Sequence, residues 1–277
     1  MKHTQKRITL IPVGGLANRM MAIESAIALS KETNMPLEIV WFKDWGLNSP
    51  FHKLFEEIPL PNVTIREAKK KDLLTTDRPR KKNLLIPHLF QLFKYQQRMY
   101  ETEVFEQMKK GFDFANWCKN RESYIAAFCP FFLAETHFQH FRPTTELREE
   151  VQRITAKWHT HIVGVHIRRT DNIASIEGSP TEAFVRCMNK ELDKHPDTHF
   201  YLATDSEEEK KKMKYIFGER IITSHFKAER GSVEGMQHAV LEMYLLASTN
   251  KILGSAKSTY SVTAAKISDI PYEIVTK

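Results

Sequence analysis

His166, Arg168, Arg169 and Asp171 fall within one run, His166-Ile167-Arg168-Arg169-Thr170-Asp171, directly after the apolar stretch Ile162-Val163-Gly164-Val165. Adjacent arginines repel one another unless something anionic meets them. Their planar guanidinium forks bind phosphate oxygens in pairs, and each charge-assisted hydrogen bond contributes about 1.5–3 kcal/mol. A diphosphate is one fitting partner. The other solution is internal, with one arginine paired to Asp171 and the second left in water. The preceding stretch is short and rich in β-branched residues, as in a buried strand, so the charges sit where a strand gives way to a loop. In open α/β sheets that edge is where ligands bind.

Three later segments point toward the same place. Ala203-Thr204-Asp205-Ser206 sets a carboxylate just past another strand, either as a helix N-cap or as a ligand contact. Gly254-Ser255-Ala256-Lys257-Ser258-Thr259 is a hydroxyl-rich turn from strand to helix. Its hydroxyls and free amides, with Lys257 beside them, suit a phosphate, and an ordinary helix cap accounts for them equally well. Glu242 lies within Val240-Leu241-Glu242-Met243-Tyr244-Leu245-Leu246, where a carboxylate among apolar neighbours needs a partner. Near the amino terminus, Gly14 and Gly15 allow close approach of the backbone to a ligand, and Asn18 and Arg19 follow at a helix start, where amides and the dipole favour anions. This turn is not the Gly-x-Gly-x-x-Gly dinucleotide fingerprint.

The hexapeptide resembles the His-x-Arg-Arg-x-Asp signature of a fucosyltransferase superfamily that includes core α1,6-, nodulation-type, α1,2- and, more distantly, protein O-fucosyltransferases. The later segments resemble that superfamily's subsequent motifs in the same order. The resemblance covers residues 160 to 265 well and 8 to 41 weakly, and leaves 46 to 158 unmatched. It implies a GT-B-like α/β fold, two Rossmann-like domains facing a cleft, with the donor held by the carboxyl-terminal one. By the same resemblance Arg168 holds the β-phosphate of GDP, assisted by Arg169, Ser258 and the neighbouring Thr259. His166, Asp205 and Glu242 hold the guanosine end, and Gly15-Leu16-Ala17-Asn18 reaches into the cleft. Glu242 departs from the aspartate usual at its position, and Lys257 stands where a small residue is common. Glu177 lies near the place of a catalytic glutamate in the core α1,6 enzymes, so it is either the base for the acceptor hydroxyl or an exposed loop residue. Asp171 would orient the arginines.

The implied reaction is inverting transfer of fucose from GDP-fucose to a hydroxyl of a glycan acceptor, either free or lipid-linked. The chain has no Asp-x-Asp motif, so we expect no metal and no cofactor. A glycosyltransferase for another GDP-sugar, or a non-catalytic nucleotide or polyanion-binding protein, fits the same residues.

Strand and helix patterns alternate around these segments. Ile8–Pro12, a helix from about Met20 to Thr33 and a strand over 37–41 open the chain as β-α-β. Residues 83–87 read as a strand end, His88 to Tyr100 as an amphipathic helix, Tyr124 to Phe128 as a strand, and Glu146 to Trp158 as a linking helix. The remainder alternates strand and helix to the end, predicting a parallel sheet. We expect domains at 1–158 and 159–277. The phenylalanines between Phe128 and Phe141 read as core. Among 277 residues there are three cysteines without metal-ligand spacing, and no apolar run long enough to span a bilayer. A cytoplasmic protein is expected, either free or at the inner face of the membrane. The formal charge of +7 concentrates in Lys69-Lys70-Lys71 and Arg78-Pro79-Arg80-Lys81-Lys82, read as a solvated face or a peripheral membrane contact. No nucleic-acid partner is expected.

Overall fold

Strands that alternate with helices must bury both faces, and the inner strands of this chain are accordingly buried along their whole length rather than on alternate residues. The computed structural model describes residues 6–76, 85–132, 138–158, 161–170, 172–226 and 229–277, with the backbone alone at 85–87. Two compact units result, the first ending at Arg142 and the second beginning at Pro143. The boundary thus precedes the expected one at 158. The helix over Thr145–Thr155 (α6) is not a linker but packs on a later helix of the second unit, burying Leu147.

In the first unit, β1 (Ile8–Pro12), α1 (Leu16–Thr33), β2 (Leu37–Trp41) and β3 (Val63–Glu67) are followed by α2 (Asp72–Thr75), α3 (Leu85–Lys94), β4 (Gln97–Met99), α4 (Glu101–Lys109), α5 (Phe114–Cys118) and β5 (Ser123–Ala127). The strands pair in parallel in the order β3-β2-β1-β5-β4. The helix expected from His88 to Tyr100 ends at Lys94, because Tyr95 turns inward to stack on Tyr124 and the chain joins the sheet edge as β4. Of the expected strand end at 83–87, residues 83 and 84 lie outside the described residues and 85–87 begin α3. Phe131, Phe138 and Phe141 are buried, as their clustering predicts. Lys69, Lys70 and Lys71 are exposed, while the tract from Arg78 to Lys82 lies outside the described residues.

The second unit continues after α6 with β6 (Ile162–Ile167), α7 (Ile173–Gly178), α8 (Thr181–Lys194), β7 (His199–Thr204), α9 (Glu207–Phe217), β8 (Ile221–Thr223), α10 (Val233–Ala247), β9 (Lys251–Ser255), α11 (Thr259–Ser268) and β10 (Tyr272–Val275). All its strands are parallel, in the order β10-β9-β6-β7-β8. Taken from β6 outward this is the doubly wound arrangement, with the chain reversing direction of travel between β6 and β9. Every residue of β6 is buried. Val163, Val165 and Ile167 pack with Phe184, Phe200 and Leu202, each contributing about 1.5–3 kcal/mol through burial. The register sets His166 beside Ala203 on one side and Gly254 on the other, so three strand ends finish together. Among the described residues no helix is long and apolar enough to cross a membrane.

Gly254 is required by close approach. A Cβ there would stand 2.5 Å from Tyr272 Cε2 and 2.6 Å from Ser261 Oγ. Gly254→Ala is therefore expected to lower the urea-unfolding free energy by about 1–3 kcal/mol through overpacking. A midpoint equal to wild type would show that the Tyr272 ring swings aside without cost.

Candidate functional site

Strand ends bring the functional side chains together, and one carboxylate fastens them. Asp205 follows β7 directly, and its Oδ1 accepts the Arg169 main-chain N–H at 2.8 Å. Its Oδ2 accepts the Thr170 hydroxyl at 2.7 Å and the Thr170 N–H at 3.3 Å, and pairs with Arg168 Nη1 at 2.7 Å. Burial alone would raise this carboxyl, but the Thr170 hydroxyl, the Arg168 charge and the two amides hold it below its ordinary value. Asp205 was expected at the guanosine end of a ligand; in the structure its carboxylate reaches from the end of β7 to the loop after β6, which it shapes. The helix cap falls to its neighbour, since Ser206 Oγ accepts from the Glu209 N–H at 3.3 Å.

The two arginines take different surroundings. Arg169 Nε pairs with Glu209 Oε1 at 2.9 Å, its Nη2 donates to Thr181 Oγ1 at 3.1 Å, and its Nη1 donates to the Arg168 carbonyl at 3.0 Å. Thr181 also donates to Glu209, at 2.6 Å. Arg169 is thus a strut that ties the loop to α8 and α9. Arg168 stands nearer the surface and is fixed from below, its N–H donating to Ser255 Oγ at 3.0 Å while that hydroxyl donates to the His166 carbonyl at 3.2 Å. Asp171 lies outside the described residues. Glu209, Thr181 and Ser255 were missed by sequence reasoning. Glu209 carried a usable signal, since it lies one helical turn after Asp205 in an acidic first turn.

His166 is 6% exposed, beneath the turn rather than open to a ligand. Its ring lies 5.0 Å from that of Tyr260, and Nδ1 is 3.5 Å from Ser258 Oγ. Burial first, and then the Arg168 charge, push its imidazole down to about 4 from an ordinary 6.5. The turn itself is well anchored. Ala256 N–H donates to Ser179 Oγ at 2.8 Å, Ser175 Oγ donates to the Ala256 carbonyl at 2.6 Å, and Asn172 Nδ2 donates to the Lys257 carbonyl at 3.3 Å. Lys257 adopts left-handed backbone at φ 54° and is exposed, as is Thr259. Ser258 is the N-cap of α11, and its hydroxyl makes no cap bond. Ser175 and Asn172 clamp α7 to this turn. Glu177, read as either the base for the acceptor hydroxyl or an exposed loop residue, is an exposed residue of that short helix.

Glu242 on α10 accepts the Ser224 hydroxyl at 2.6 Å. Burial drives its carboxyl up to about 7 from an ordinary 4.5, against the opposing effects of Ser224 and Lys210. Among the described residues no group of three or more His, Cys, Asp or Glu is placed to hold a metal ion.

In the first unit, Gly14 has φ 93° and Gly15 is the N-cap of α1, so the glycine turn serves the strand-to-helix reversal. Asn18 is half-buried on the first turn of α1. Arg19 was expected to face an anion; instead it is 0% exposed. Its Nε donates to the Gly14 carbonyl at 2.9 Å, Nη1 to the Phe42 carbonyl at 2.5 Å, and Nη2 pairs with Asp44 at 2.9 Å. An arginine that closes the loops after β1 and β2 cannot also reach out of the unit.

No protein-family model matches this chain, and no curated protein matches it. Solved structures do. The fucosyltransferase NodZ from Bradyrhizobium superposes with a TM-score of 0.66 at 18% identity, covering 94% of this chain and 93% of that one. POFUT1 in its apo form gives 0.62 at 10% identity, covering 99% of each chain. A mutant of Arabidopsis thaliana FUT1 in complex with GDP gives 0.63 at 14% identity, covering 98% of this chain and 70% of that one. The chain has the GT-B-like α/β fold of these fucosyltransferases.

His166 and Glu242 carry opposite pH dependences in one window. The unfolded chain protonates a histidine more readily than folded His166, so its contribution is present above 6.5 and lost as pH falls toward 4. Glu242 protonates more readily when folded, so its contribution is present below 4.5 and lost as pH rises toward 7. Each amounts to about 1.4 kcal/mol per pH unit, and between 4.5 and 6.5 they offset. Urea unfolding across that range should show Glu242→Gln losing stability on acidification relative to wild type and His166→Asn gaining it. Parallel curves for all three proteins would refute both assignments.

Proposed function

We propose that this chain is a metal-independent, inverting glycosyltransferase that moves L-fucose from GDP-fucose to a hydroxyl of a glycan acceptor. The observation that carries the reading is Arg168 held at the end of β6, at the reversal point of the second sheet, by Asp205 on one side and by Ser255 beneath. A doubly wound sheet binds ligands at that point. Support comes from the fold likeness to NodZ, one of whose structures was soaked with GDP-fucose, and to POFUT1 and FUT1, which have structures with GDP.

In this reading the donor diphosphate lies between Arg168 and the first turn of α11. The bond from the sugar anomeric carbon to the diphosphate oxygen breaks as the acceptor oxygen attacks from the opposite face. Negative charge grows on the departing GDP while the sugar passes through an oxocarbenium-like state. Arg168, Lys257, the Ser258 and Thr259 hydroxyls and the α11 amides meet that charge with fixed donors, which need no rearrangement as it forms. Glu242 takes the guanine end as a hydrogen-bond partner, and His166 supports Ser258 from below. The acceptor proton passes to a carboxylate, for which Glu177 on α7 is the candidate in this unit.

The two arginines should separate by experiment. Arg168→Ala is expected to reduce GDP-fucose turnover by roughly 100-fold or more, by analogy with loss of one transition-state donor. Arg169→Ala should instead cost about 1.5–3 kcal/mol of stability, because it takes the charged partner from half-buried Glu209. A thermal-shift series with GDP, GDP-fucose, UDP and CMP, EDTA present throughout, supplies the donor test. Selective stabilisation by GDP and GDP-fucose that Arg168→Ala abolishes supports the reading. A protein indifferent to every nucleotide, or an Arg168→Ala enzyme of normal turnover, defeats it.

A further inference from the structure

Helix α3 of the first unit is turned inside out. In a surface helix of a globular protein the apolar stripe faces the core. Here Gln91 points inward and is 0% exposed, its Oε1 accepting the Tyr100 hydroxyl at 2.5 Å. Leu89, Phe90 and Leu92 are each exposed, and Phe93 is 90% exposed. At 100° per residue these four cover one continuous outer arc, while Gln91 and the following Tyr95 mark the inner one. The neighbouring α2 packs beside α3 and adds Leu73 and Leu74, both exposed, to the same apolar surface. Six large apolar side chains so grouped are not the scattered exposure normal for a soluble surface.

The charges beside them choose the partner. Lys69, Lys70 and Lys71 lead into α2, Lys94 closes α3, and all four are exposed. The nearby carboxylate, Asp72, is buried and chelated by Arg66 at 2.7 and 2.8 Å, with the Lys69 N–H at 2.7 Å. Burial would raise that carboxyl, but Arg66, the Lys69 amide and the charge of Lys94 hold it below its ordinary value. The patch therefore offers lysines around leucine and phenylalanine, the composition of a helix that lies in a bilayer interface with its cations at the headgroups. A protein partner's interface is instead depleted in lysine.

We propose that the α2–α3 face of the first unit docks on an anionic phospholipid bilayer, with Phe90 and Phe93 entering the acyl boundary and Lys69, Lys70, Lys71 and Lys94 meeting lipid phosphates. The inference stands apart from the donor reading, since it uses neither the second unit nor its ligand. It gives the chain a way to lie on a membrane without spanning it.

The test is co-sedimentation of the full chain with phosphatidylcholine vesicles, with and without phosphatidylglycerol, in low and high salt. Wild type should bind the anionic vesicles and release them as salt rises. Phe90→Ser with Phe93→Ser should weaken binding by roughly tenfold or more, at unchanged circular dichroism. Glutamine at Lys69, Lys70 and Lys71 should weaken it about fivefold per lysine. Phe93→Trp should be quenched by brominated lipid only in anionic vesicles. The proposal is overturned if the vesicles stay bare, if neither set of substitutions alters binding, or if the phenylalanine variant only dissolves a concentration-dependent dimer.

Discussion

The carboxylate of Asp205 is the constraint on which the second unit's active edge depends. Two adjacent arginines at the end of a fully buried strand would otherwise splay apart, and the loop after β6 would have no reason to hold one shape. Asp205 removes that freedom by engaging Arg168 through its side chain, Arg169 through its backbone and Thr170 through both. The interaction is short-ranged and mostly buried, so it is strong in a way that exposed ion pairs are not. Because Asp205 itself sits at the end of β7, the loop is referred directly to the rigid sheet.

A second carboxylate, Glu209, takes the side chain of Arg169, so two arginines are matched by two acids before any ligand arrives. Formal charge at the strand end is therefore balanced. Attraction for a diphosphate in the proposed reading comes from directed donors instead: the amide groups opening α11, the Ser258 hydroxyl that makes no cap bond, and exposed Lys257. Such an arrangement discriminates by geometry more than by net charge, and it leaves Arg168 the one member of the pair near the surface. Beneath it His166 stays neutral at ordinary pH, because a second cation beside Arg168 in a buried place would cost too much.

The first unit uses a similar fold differently. Its glycine turn and Arg19 close upon themselves, Arg19 satisfying the carbonyls of Gly14 and Phe42 and pairing with Asp44. Polar groups there stabilise the scaffold, while apolar groups on α3 face outward. The first unit thus inverts the usual division, with charge turned inward near β1 and hydrophobic surface turned outward on α3.

Much of the strand and helix order was readable, because buried parallel strands such as Ile162–Ile167 and helices such as Val233–Ala247 announce themselves by apolar runs and spacing. The middle of the chain was less so: Tyr95 ends α3 through a ring contact with Tyr124, distant in sequence, which no local periodicity contains. Within the site, the sequence by itself determined which chemical groups stand at strand ends, since strand termini and turn residues are local properties. It did not determine who pairs with whom. That Asp205 meets Arg168, that Glu209 takes Arg169, and that Arg19 turns inward follow from parallel register and helix packing. These bring groups tens of residues apart within 3 Å, and only the tertiary structure decides such distances.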